Sequence, residues 1–159
     1  MADETESSEQ AEELKPSELD ENTHAEMRVL YSESSNTVRF AKERQWKLAG
    51  AVLLIFAAIM IVAQILVIEA NMAKGLVLAS FLVSAASIYM LVIYQIWQST
   101  EFTRQEAIST QFSSLFKGIL GPQAKREGGV HGYIILTFII CGIILGNAAT
   151  VFFLSRFYL

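Results

Sequence analysis

The 159-residue chain is 53% Ala, Val, Ile, Leu, Met, Phe, Trp, Tyr and Cys and only 18% charged, with a mean hydropathy of +0.40, which is too apolar for an ordinary soluble domain. Its net charge of −4 hides two unlike parts, because residues 1–24 carry nine acids against Lys15 alone and the remainder carries eleven bases against seven acids. An acidic tail on a basic, apolar body argues against nucleic acid as a partner, and a lone cysteine, Cys141, excludes an intrachain disulfide and a multi-cysteine metal site.

Residues 1–22 are rich in Glu, Ser and Ala and contain no aromatic residue, so they bury too little apolar surface to offset chain ordering and are expected to be a disordered acidic tail. The first long apolar run begins only at Leu48, which is not the pattern of a secretory signal. Thr23-His24-Ala25-Glu26 fits a capping box and predicts a helix from about His24 through residue 47. Met27, Leu30, Tyr31, Ser34, Val38, Ala41 and Leu48 fall at helical spacing along it, while Ser34-Ser35-Asn36-Thr37 are poor helix formers at which it is expected to be weakest.

Three segments, 48–68, 76–97 and 132–154, contain no Asp, Glu, Lys or Arg. Each matches the roughly 20 helical residues that cross a hydrocarbon core of about 30 Å. The first two, joined by residues 69–75, form a transmembrane hairpin over 48–97. Arg28, Arg39, Lys42, Arg44 and Lys47 precede the first span, and Arg104, Lys117, Lys125 and Arg126 lie between the second and third, against Lys74 and Arg156 on the other side. By the positive-inside rule the N-terminus is cytoplasmic and the C-terminus outside. Trp46, Trp97 and Tyr133 then lie at the inner membrane interface, and Phe152, Phe153, Phe157 and Tyr158 at the outer one.

Between the second and third spans, residues 98–131, Thr103-Arg104-Gln105-Glu106 is a second capping-box match ahead of Ile108, Phe112, Leu115, Phe116 and Ile119. An amphipathic helix is expected there, ending at Gly121-Pro122. Its polar face carries Ser, Thr, Gln and Glu more than Lys or Arg, which favours packing against the 23–47 helix over lying on a membrane surface. Residues 132–159 form the third span and a short outer tail.

No Asp, Glu, Lys or Arg lies inside a span, His24 and His131 fall outside them, and Cys141 sits in apolar surroundings that disfavour a reactive thiolate. No catalytic, cofactor or metal site is expected, and the chain reads as a non-enzyme. The candidate functional residues are those of helix packing. Gly142 and Gly146 form a GxxxG in the third span, flanked by Asn147 and Thr150; Ser80, Ser84 and Ser87 make a polar stripe on the second; and Gln64 is the strongly polar residue of the first. The same polar residues lining a pore in an oligomer is the sharper alternative.

A helix carrying Arg39-Phe40-Ala41-Lys42 and Gln45-Trp46 that enters a two-span hairpin and leaves through a cytoplasmic helix resembles the bacterial SLATT-type membrane proteins over about residues 30–120. The resemblance implies self-assembly into a pore that acts as an effector in nucleotide-triggered conflict systems. The third span departs from the two-span pattern, and no functional residue carries over. The expected whole is an all-α integral membrane protein of three transmembrane helices with a cytoplasmic helical extension, in a bacterial inner membrane. Its partners would be the lipid bilayer and either further copies of itself, as a homo-oligomer, or other membrane subunits.

Overall fold

The computed structural model describes residues 19–66, 68–112 and 130–158. Three helices account for nearly all of them: α1 (Glu21–Leu66), α2 (Ala70–Ser109) and α3 (Val130–Tyr158). All three are long and apolar enough to cross a membrane, and there is no strand among the described residues. At about 1.5 Å per residue they run roughly 69, 60 and 44 Å. The antiparallel α1–α2 hairpin therefore continues well beyond the end of α3.

Helix α1 begins at Glu21, two to three residues before the predicted start. Its cap is Asp20, whose Oδ2 accepts from the Thr23 amide at 3.3 Å while its carbonyl accepts from the His24 amide at 2.9 Å. The first bond supplies an acceptor for an orphan donor of the first turn, the task assigned to the Thr23–Glu26 box, and the second is the first i→i−4 bond of the helix. Hydrogen bonding from Thr23, its side chain first and its amide second, holds the Asp20 carboxyl below its ordinary pKa.

The helix does not break at residues 34–37. The Thr37 hydroxyl donates to the Glu33 carbonyl one turn back, and the Ser34 hydroxyl is used across the hairpin. Helix α2 likewise runs through the second predicted cap, because Thr103 lies in the helix interior with its hydroxyl on the Ser99 carbonyl and no Gly or Pro interrupts residues 98–109. The separate amphipathic helix expected from residue 103 onward is thus partly the end of α2, which closes in a turn at Thr110. Leu115, Phe116, Ile119 and the Gly121-Pro122 stop lie outside the described residues, as do the acidic residues 1–18 and His131's side chain.

Two apolar clusters hold the three helices together. One joins Ala49, Val52 and Phe56 of α1 to Leu91 of α2 and Leu136, Ile139 and Ile143 of α3. The other joins Ala63, Ile68, Ala73 and Leu154 at the opposite end, where the Tyr158 hydroxyl donates to the Ala63 carbonyl at 2.8 Å. That carbonyl is among the last four of α1, which have no intrahelical donor. The outer surface over the same length is apolar, with Leu54, Ile65, Leu82, Phe138 and Leu145 among its exposed side chains. Such a continuous exposed belt is foreign to soluble monomers.

Candidate helix-packing site

The α1–α2 seam follows a seven-residue spacing. Val38, Gln45 and Val52 are buried on α1, and Ser84, Leu91, Gln98, Gln105 and Phe112 on and after α2. Side chains at such positions face a partner helix. Several of them are polar, and each polar one finds a partner. The Gln98 Nε2 donates to the Gln45 Oε1 at 2.8 Å, and the Gln45 Nε2 lies 3.3 Å from the Leu91 carbonyl and 3.4 Å from the Gln95 Oε1. Both ends of the Gln45 amide are thereby satisfied where water is excluded.

Farther along the hairpin, the Ser34 hydroxyl sits 2.6 Å from the Glu101 Oε2, and the Gln105 Nε2 lies 3.3 Å from the Ser35 Oγ. The far end is closed by an edge-to-face contact of His24 with Phe112, ring centroids 5.3 Å apart. Lys42 lies over the Phe102 ring, Arg44 over Phe40, and Lys47 pairs with Glu43 on the surface. The Glu43 carboxyl is held below its ordinary pKa by that lysine.

The α2–α3 seam carries a second polar contact. Ser80 is fully buried, and its hydroxyl lies 2.8 Å from the Asn147 Oδ1 across the seam and 2.8 Å from the Val77 carbonyl in its own helix. Ser84 and Ser87 are buried beside it, but their hydroxyls turn back to the carbonyls of Ser80 and Val83. They serve the seam by their small size, with no hydrogen bond across it. Thr150, also fully buried, bonds the Gly146 carbonyl in the same way.

Two expected packing residues are corrected. Gln64 is exposed on the outward face of α1 and contacts no other helix through a hydrogen bond among the described residues, because the inward stripe there runs through Val52, Phe56 and Ala63. Gly142 also has open space about it: a Cβ built there meets nothing within 4 Å. Its neighbour Gly146 is closely packed, since a Cβ there would lie 2.9 Å from the Phe56 Cδ2 and 3.0 Å from the Leu53 Cδ2. The buried stripe of α3 runs Leu136, Ile139, Ile143, Asn147, Thr150 and Leu154, so Gly146 flanks it against α1 whereas Gly142 lies where no α1 side chain reaches.

Trp46, Trp97 and Tyr133 are all exposed. The Gln45–Gln98 bond and the shared Ala49–Leu91–Leu136 cluster hold them at one level of the bundle. Cys141 is exposed rather than packed. No three His, Cys, Asp or Glu side chains come together among the described residues.

The residues that sequence reading passed over are Gln45, Gln95, Gln98 and Gln105. A detectable signal was present, since Gln98 and Gln105 stand seven apart and in register with Ser84 and Leu91. Comparison with known protein families, characterised proteins and solved structures gives no match for this chain.

Proposed function

We propose that this chain is a non-enzymatic multi-pass membrane protein that acts through helix–helix assembly, as a structural or accessory subunit of a membrane complex. The observation that carries the reading is the use of its buried polar groups. Every fully buried side-chain nitrogen and oxygen among the described residues has a hydrogen-bond partner, and the partners of Gln45, Ser34 and Asn147 belong to another helix. Polar groups spent in this way orient and hold helices. The nine Lys and Arg on one side of the spans, against Lys74 and Arg156 on the other, support an N-terminus in the cytoplasm and a C-terminus outside, in the manner of a bacterial inner-membrane protein.

A second reading, the self-assembling pore of the SLATT-type proteins, is favoured by Gln64. This amide is exposed on the outward face of an otherwise apolar segment, and a polar residue so placed is suited to line a hydrated path once copies associate.

The two readings separate on the purified full chain, by its mass in detergent and by ion leakage from liposomes that contain it. A chain isolated in a stoichiometric complex with other polypeptides and silent in leakage supports the accessory role. A discrete homo-oligomer that leaks ions, and leaks less as Gln64→Leu, supports the pore and overturns the first reading.

A further inference from the structure

Between α2 and α3, on the face turned away from α1, lies an open groove of about 460 Å³ walled by Phe81, Ile144, Ala148, Val151 and Phe152, with Asn147 at its edge. Asn147 is only 7% exposed. One end of its amide meets Ser80 Oγ at 2.8 Å, and the other end has no partner among the described residues and is not sealed off from the groove. Whichever way round the amide is set, one polar end is left over.

Asn147 stands four residues from Ile143, the midpoint of 132–154. That is about 6 Å along the helix, which leaves roughly 9 Å of hydrocarbon before the nearer headgroup layer. Water and lipid ester oxygens stop at that layer, so the free end of the amide is to be satisfied by protein.

We infer that a second copy of this chain seats in the groove and pairs its Asn147 amide with this one; the inference rests on the assembly reading above. An amide carries both a donor and an acceptor and is therefore complementary to itself. Two copies related by an axis along the membrane normal carry Asn147 at the same depth by symmetry. The short Ala148 side chain beside it lets the two α3 backbones approach, while the exposed rings of Phe81 and Phe152 form the lips of the groove.

The test uses the full chain with Cys141→Ala, oxidised in membranes by molecular iodine, an apolar oxidant that enters the hydrocarbon and joins two neighbouring thiols as a disulfide with release of iodide and protons. Ala148→Cys is expected to give dimer, and Ala149→Cys, on the next face of α3, to give none. In detergent, Asn147→Leu should weaken self-association about three- to twentyfold, the range for one interhelical hydrogen bond. Because Asn147→Leu also removes the Ser80–Asn147 bond between α2 and α3, Ala148→Trp, which fills the groove and leaves that bond intact, should weaken it as well. An oligomer that persists with Ala148→Cys silent and Ala148→Trp harmless overturns this inference and leaves the assembly reading standing. A chain that is monomeric at every concentration and isolated alone overturns both. A phospholipid retained by the wild type in native mass spectrometry and lost from Asn147→Leu overturns the second copy in favour of a lipid.

Discussion

The Ser34 hydroxyl and the Glu101 carboxylate, 67 positions apart, meet at 2.6 Å across the α1–α2 hairpin. Ser34 is 1% exposed and the Glu101 side chain 13%, with the Arg104 guanidinium a further 3.9 Å from the other carboxylate oxygen. A hydrogen bond to a charged, largely buried acceptor contributes about 1.5–3 kcal/mol. Ser34→Ala should therefore lower the thermal unfolding midpoint of the detergent-solubilised chain, whereas Ser34→Thr, which keeps a hydroxyl, should lower it less. Equal midpoints for Ser34→Ala and the wild type would show that the pair contributes nothing.

Gly146 should be sensitive to enlargement and Gly142 tolerant of it. Any side chain at Gly146 meets the buried Phe56 ring, and overpacking of this kind costs about 1–3 kcal/mol. Gly142→Leu enters open space and should be close to neutral. Thermal stability of Gly146→Leu and Gly142→Leu in the same detergent decides the matter, and equal losses would contradict the packing described.

The Gln45 cluster predicts a non-additive cycle. Gln45→Leu alone leaves the Gln98 amide buried without its acceptor, at about 1–3 kcal/mol. Replacing Gln45, Gln95 and Gln98 together by Leu removes donors and acceptors alike, and the triple variant should be more stable than Gln45→Leu. Additive losses across the series, measured by unfolding, would mean that the three amides act independently.

Asp20 makes the start of α1 pH-sensitive. Its carboxyl is held below the ordinary value by hydrogen bonding from Thr23, so its contribution is fully present above the unfolded-state pKa and is lost as pH falls through the lowered folded one. The Thr23 amide resonance should move on acidification in the wild type. Asp20→Asn caps without a titrating group and should remove that movement.

Topology is read by fusions to the full chain. A reporter active only in the cytoplasm should work ahead of residue 19, and one active only outside should work after Leu159. Both termini on the same side of the membrane would contradict three spans.

The three spanning-length helices were legible in the sequence because that property belongs to each segment alone. A run of twenty or so residues without charge is long enough and apolar enough whatever stands beside it. Which side of each helix faces inward was not legible. Gln64 and Ser84 are alike in being polar within apolar runs, and Gly142 and Gly146 lie one turn apart, yet one of each pair is packed and the other open. The difference depends on where Phe56, Leu53 and α2 stand around them, that is, on the rotation of each helix about its axis. Many contacts between residues distant in the chain set that rotation jointly, and no single run of sequence contains it. The continuity of α1 through Ser34–Thr37 was decided in the same way: local propensity opposed it, and Glu101, on another helix, supplied the bond that Ser34 lacked.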